Sequence, residues 1–174
     1  IPFFSFVLQT GKCRKCKKYI SWQYPIVEVL TAIVLMLIYW KFGVSWQALI
    51  LAIIAAISIV IANYDILHLE IPDILSYIVI LLSILLIIVK IYTPDQGLPL
   101  NSLLNYIYGM IAGAGFLAFL VIISREKWMG AGDIFVGAFI GLILGFANTI
   151  LAIFLAFVLG SLISVILMAF RKKG

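Results

Sequence analysis

Two aspartates of this chain stand at the ends of long apolar runs, where a carboxylate is costly. Asp133 directly follows the glycine-rich bend that contains Gly130 and Gly132, and Asp65 follows the run SIVIANY. Acids at the edge of a membrane segment are functional candidates because a buried charge is expensive there. Two carboxylates that meet cannot both ionise cheaply, so they share one proton. One can then take a proton from water while the other polarises a peptide carbonyl, which is aspartic protease chemistry.

The composition predicts the scaffold that must position these acids. Of the 174 residues, 66% are hydrophobic and 11% are charged, whereas soluble domains are about half apolar and a quarter charged. Lipid cannot satisfy an open strand edge, so we expect helices. The sequence therefore predicts an all-α fold, a polytopic integral membrane helix bundle. Its six predicted spanning helices cover residues 25–42, 46–62, 72–92, 103–123, 133–146 and 148–170.

The basic residues orient the predicted bundle. Ten of the 12 Lys and Arg residues lie before the first helix, between the fourth and fifth, or after the sixth, and only Lys41 and Lys90 lie on the other side. The positive-inside rule places the first group in the cytoplasm. Asp65, at the end of the second helix, and Asp133, at the start of the fifth, then share the cytoplasmic face. The net charge of +5 reports this topology and contact with anionic lipid, and we find no nucleic-acid signature.

Among the other ionisable residues, Asp73 and His68 have structural explanations, and Glu28 has none. Asp73 follows Pro72 at the predicted start of the third helix, where it favours the positive end of the helix dipole. Asp65 lacks that explanation, because it lies near the C-terminal end of its helix. His68 is predicted to be a loop residue after the second helix. Glu28 lies about one turn inside the first helix, where an acid must face protein, water or a partner.

Three blocks resemble a known family. They are GKCRKCKKYISWQYPIVEVLTA (11–32), DILHLEIPD (65–73) and GAGD (130–133), which are similar in order and spacing to the motifs of type IV prepilin peptidases. These are membrane aspartic proteases with a G-x-G-D motif. The resemblance implies that Asp65 and Asp133 are catalytic. It also implies that four further residues support the substrate or the motif: Gly130, Gly132, Asp73 and Glu28. The role of Glu28 stays open between substrate, the methyl donor and a basic side chain such as Lys18.

The same resemblance implies a reaction and a location. The expected activity is cleavage of the leader peptides of type IV prepilins and pseudopilins after a glycine, at the cytoplasmic face of the bacterial inner membrane. Prepilin precursors and the lipid bilayer are then the partners. Many bacterial members also N-methylate the new amino terminus with S-adenosylmethionine, so this second activity is an expectation from the family alone. Proteolysis itself needs no cofactor.

A cysteine pair precedes the helices. Cys13 and Cys16 have the spacing of half a structural zinc site, which needs four ligands. Family members often have two such pairs and eight spanning helices, so we expect the chain to be truncated at one or both ends. By sequence it divides into a basic cytoplasmic segment with the cysteine pair (1–22), a transmembrane protease bundle (23–170) and a basic cytoplasmic end (171–174).

The strongest alternative is a proton-coupled transporter or channel that uses Asp65 and Asp133 as relay sites. Such proteins usually carry their acids near the membrane midplane, in helices broken at matched positions of two repeats. Here the acids gather at one interface and the sequence shows no repeat. The peptidase interpretation therefore takes precedence.

Overall fold

The chain is all-α, as its composition predicts. A computed structural model describes residues 19–92 and 100–171 and, within them, six α-helices. We label these α1 (Gln23–Phe42), α2 (Trp46–His68), α3 (Asp73–Tyr92), α4 (Leu100–Ser124), α5 (Gly132–Leu144) and α6 (Phe146–Arg171). The predicted number and order of helices are confirmed.

Five of these helices are long and apolar enough to cross a membrane, and α5 is the exception. Its 13 residues extend about 20 Å, whereas the hydrocarbon core of a bilayer is about 30 Å thick. The structure is that of a multi-pass membrane protein in which one apolar helix is shorter than a full span.

Several predicted helix ends were wrong. Helix α2 continues to His68 rather than ending at 62, so His68 is helical and is not a loop residue. Its ring stacks on Tyr64 with 4.2 Å between centroids, and this i, i+4 contact extends the last turn. Helix α4 begins at Leu100 rather than at 103, and the break between α5 and α6 is at Gly145 rather than at 147.

The described residues form two compact units, and the first ends at Leu75. Its described part contains α1 and α2, which form an antiparallel pair. The turn between them begins at Gly43, whose φ of 59° suits glycine, and Ser45 caps α2 by accepting from the amide of Ala48 at 3.1 Å. At the other end of the pair, Gln23 Nε2 donates to Asn63 Oδ1 at 2.7 Å. This bond fixes the end of α2 that carries Asp65 against the start of α1.

We expect Asn63→Ala to destabilise the first unit by about 0.6–2 kcal/mol, since a hydrogen bond between membrane helices contributes that much. The free energy of unfolding in detergent micelles would be measured for Gln23→Ala, Asn63→Ala and the double variant. Asn148→Ala is the matched control. The side chain of Asn148 donates to the carbonyl of Leu144, four residues earlier, so this substitution removes a local hydrogen bond. Additive effects of Gln23→Ala and Asn63→Ala would contradict the assigned link.

The second unit begins at Ser76, within α3. The buried face of α3 carries a set in which each residue lies three or four positions from another member: Ser76, Val79, Ser83, Leu86 and Ile87. Tyr77 of this helix contacts Phe135 of α5 edge to face, with centroids 5.0 Å apart. At its other end, Lys90 Nζ lies 3.3 Å from the hydroxyl of Tyr106 on α4. Helix α3 is thus joined to both α4 and α5.

Helices α4 and α5 pack backbone to backbone through glycines. Gly113 lies against Gly137, and Gly109 lies against Gly141, so closely that a Cβ on any of the four would collide with the facing main chain. The residue numbers of the two contacts rise along α4 and fall along α5, so the helices are antiparallel. Small residues allow this approach between membrane helices.

The chain reverses at Gly145, between α5 and α6. Gly145 has a φ of 76°, in the left-handed region that favours glycine. Asn105 of α4 packs against Gly145, and its Oδ1 accepts from the amide of Phe146 at 3.2 Å. Thr149 Oγ1 donates to the carbonyl of Gly145 at 2.7 Å. These bonds satisfy polar backbone groups that apolar surroundings would otherwise leave unpaired.

Candidate active site

Asp133 is the second residue of α5 and is partly buried. Its Oδ2 accepts from the amide of Gly130 at 3.1 Å, and its own amide donates to the carbonyl of Gly130 at 3.2 Å. This pair of bonds folds the glycine-rich bend onto the helix start and orients the carboxylate. The positive end of the α5 dipole also stabilises a negative charge at this position.

The glycine contacts set the depth of Asp133. Gly113 faces Gly137, so one turn earlier on α5 Asp133 is level with Leu117. Leu117 precedes the last residue of α4, Ser124, by seven positions, which is about 10 Å along the helix axis. Asp133 is therefore recessed from the end of α4, and the loop 125–131 descends to reach it. This explains why α5 can be short.

A cavity of about 590 Å³ opens beside Asp133 within the second unit. Its walls come from α4, α5 and α6, and its volume lies in the range of small-molecule sites. Apart from Asp133 and Ser161, the residues that line it are apolar or glycine. The carboxylate thus lies where an apolar cavity meets the polar loop 125–131.

Asp65 lies in the last turn of α2, in the first compact unit, and its side chain is exposed. Its carbonyl accepts from the amide of Leu69 at 2.7 Å, and Leu69 ends the helix in the left-handed conformation at φ 55°. The negative end of the α2 dipole disfavours charge on this carboxylate. Asp65 and Asp133 belong to different units, and their pairing stays a prediction.

The two supporting acids occupy different environments. Asp73 is the first residue of α3 and is exposed, as its predicted place at a helix start requires. Glu28 lies on the less exposed face of α1, with Val27 and Thr31. Its Oε2 is buried and has no hydrogen-bond partner among the described residues. An unpaired buried carboxylate oxygen is costly, so Glu28 is the more unusual of the two.

Comparison with known proteins identifies the family. Residues 52–165, about two thirds of the chain, match the family model described as type IV leader peptidase family. This match contains both Asp65 and Asp133. The chain belongs to the type IV leader peptidase family. Residues 1–42, which contain Glu28, also match the model of the bacterial peptidase A24 N-terminal domain.

Curated relatives in this family align with almost the whole chain. A prepilin leader peptidase/N-methyltransferase of Bacillus subtilis (strain 168) is 32% identical over 93% of the chain. Proteins of the same name from Neisseria gonorrhoeae and Pseudomonas aeruginosa are 31% and 27% identical over 99% of it. The chain spans 62%, 58% and 58% of these relatives' lengths, about three fifths. No solved structure matches it.

The metal prediction concerns residues beyond the reach of this structure. Cys13 and Cys16 lie outside the described residues, so the half zinc site predicted for them stays a prediction. Across 19–92 and 100–171, no group of three or more His, Cys, Asp and Glu side chains could hold a metal ion. His68 stacks on Tyr64, and its Nδ1 lies 3.2 Å from the carbonyl of Tyr64.

Sequence reasoning missed the residues that hold α5 in place. The glycine pairs of α4 and α5, at 109 and 113 and at 137 and 141, each have the four-residue spacing of close helix contacts. A second four-residue series of small residues on α6, Ala152, Ala156 and Gly160, lines the cavity. The spacing alone could have pointed to both sets, although not to which helices they join.

Proposed function

We propose that this protein is an aspartic endopeptidase that removes the leader peptides of type IV prepilins and related pseudopilins, cutting after a glycine. The observation that carries the proposal is the position of Asp133. A carboxylate of a family peptidase motif is oriented by Gly130 and borders an apolar cavity in the second unit. The match to the type IV leader peptidase family and the names of the curated relatives support it.

In the proposed reaction Asp65 and Asp133 act on one water molecule. Asp133, at the positive end of the α5 dipole, takes a proton from the water, whose oxygen attacks the scissile carbonyl carbon. Asp65, at the negative end of the α2 dipole, holds the shared proton and donates a hydrogen bond to the carbonyl oxygen. Collapse of the tetrahedral intermediate breaks the C–N bond, and the departing amine takes the proton that Asp133 had removed from water, which restores the starting protonation of the pair.

Methyl transfer to the new amino terminus is a second proposed activity. It rests on the relatives' names, which include N-methyltransferase. The cavity beside Gln23 and Asn63 measures about 120 Å³, well below the roughly 300–1,000 Å³ of small-molecule sites. That cavity does not fit S-adenosylmethionine, so we assign no residue to the methyl donor and derive no step through it.

The proposed location is the bacterial inner membrane, with the active site facing the cytoplasm. Five long apolar helices and family membership support a multi-pass membrane protein. The excess of basic residues at the ends that carry Asp65 and Asp133 supports the cytoplasmic side. The proposed partners are prepilin precursors and the surrounding lipid. A proton-coupled transporter is not favoured, because the family and the curated relatives are peptidases.

Incubation of the purified protein in liposomes with a synthetic prepilin tests the proposal. Mass spectrometry of the product should show a new amino terminus directly after the leader glycine. Addition of S-adenosylmethionine should raise the mass of that product by one methyl group if the second activity is present. An intact substrate, or the same cut by a protein in which both Asp65 and Asp133 are replaced, would refute the peptidase assignment.

A further inference from the structure

The last turn of α2 carries Asp65 and is exposed along its whole length. Every side chain from 64 to 69 is exposed, so burial contributes little to holding this turn. Exposed helix ends open and close with free energies close to zero. The position of the Asp65 carboxylate therefore depends on the local contacts that keep the turn closed.

Leu69 makes closure of this turn unfavourable. Its amide donates to the carbonyl of Asp65 at 2.7 Å, and this bond closes the turn. To make it, Leu69 adopts the left-handed conformation, with φ 55° and ψ 33°, which is disfavoured for residues with a side chain. Helices that end in this way usually have Gly or Asn at the left-handed position. The Leu69 side chain is 86% exposed, so it gains little burial in return.

His68 offsets this cost. Its ring stacks on Tyr64 with the centroids 4.2 Å apart and the planes 21° apart, and its Nδ1 lies 3.2 Å from the carbonyl of Tyr64. The two residues are four positions apart, so they lie on one face of α2, and Asp65 lies within the turn between them. An aromatic pair of this kind raises the population of the closed form relative to the open form about twofold to tenfold.

From these contacts we propose that His68 is a positioning residue for Asp65, because its stack on Tyr64 holds closed the strained turn that ends at Leu69. This inference rests on the proposed peptidase function and adds a residue to its machinery. Misplacement of a reacting group by about 1 Å can lower a rate about a hundredfold. Only the closed turn is therefore active, and the cleavage rate follows the closed fraction.

His68→Ala and His68→Phe test the proposal together. In liposomes with a synthetic prepilin, His68→Ala should lower kcat about twofold to fivefold and leave KM unchanged, because fewer molecules have a closed turn. His68→Phe keeps an aromatic ring over Tyr64 and should keep the wild-type kcat. Equal losses of kcat in the two variants, or a loss that appears in KM instead, would overturn the proposal.

A second substitution should restore the activity that His68→Ala loses. Leu69→Gly removes the cost of the left-handed conformation, so the double variant His68→Ala/Leu69→Gly should recover most of the wild-type kcat. The matched control is Tyr39→Ala, which removes an exposed aromatic side chain near the end of α1, at the end of the helix pair away from Asp65. It should leave kcat unchanged. A double variant no more active than His68→Ala would contradict the assigned role.

Hydrogen–deuterium exchange separates this proposal from the function on which it rests. The Leu69 amide, which is bonded to the carbonyl of Asp65, should exchange about twofold to tenfold faster in His68→Ala than in the wild type. Unchanged exchange, or faster exchange with an unchanged kcat, would overturn the positioning role even if leader cleavage is confirmed. Failure of the peptidase function would instead appear as an intact substrate with the wild-type protein, whatever the exchange rates.

Discussion

Asp133→Asn should lower the rate of leader cleavage by about a hundredfold to ten-thousandfold, the range expected when a positioned acid–base group is lost. The amide keeps the shape of the side chain and can still accept from the amide of Gly130, which the carboxylate now contacts at 3.1 Å. It cannot take a proton from water. The measurement is the single-turnover cleavage rate of a synthetic prepilin, with circular dichroism to confirm that the helices are retained.

Asp65→Asn should cause a loss of the same size, and the double variant should lose little more than either single one. Residues that act as one unit give such non-additive losses. Glu126→Gln is the matched control, because Glu126 is an exposed acid in the loop between α4 and α5 and loses the same charge. Independent, additive losses from Asp65→Asn and Asp133→Asn would argue against a shared proton.

The positions of Asp65 and Asp133 along their helices could be predicted from the sequence only in part. Apolar runs and basic ends were enough to predict six helices and to put Asp65 and Asp133 at helix ends, because lipid imposes strong rules on composition and charge. The predicted end of α2 was wrong by six residues. Tyr64 and His68 are polar enough to resemble a loop, yet their stacking extends the helix.

The depth of Asp133 was beyond the reach of sequence reasoning. An apolar run reports which residues avoid water, but not how one helix slides along its neighbour. That register depends on which glycines face each other, and the pairs Gly113 with Gly137 and Gly109 with Gly141 are contacts between distant parts of the chain. The unpaired oxygen of Glu28 was equally hidden, since it depends on the packing around one atom.

The glycine contact gives the second large effect, which we expect from Gly113→Ala. The added methyl group would collide with the carbonyl of Gly137 and lie 3.2 Å from Thr149 Cγ2. The main chain of α5 cannot yield as a flexible side chain would, so the two helices must separate. Overpacking of this kind costs about 1–3 kcal/mol of unfolding free energy. Asp133, one turn from Gly137, should shift with α5, and misplacement by about 1 Å can lower activity about a hundredfold.

Gly115→Ala is the control that isolates this contact. Gly115 lies two residues away on the same helix, and a Cβ there would meet nothing within 4 Å. Both substitutions gain the same helix propensity, so a difference between them in unfolding free energy and cleavage rate reports the backbone contact alone. Equal behaviour would mean that α5 is held by other contacts. A larger loss of cleavage rate in Gly113→Ala than in Gly115→Ala would show that this backbone contact positions the carboxylate.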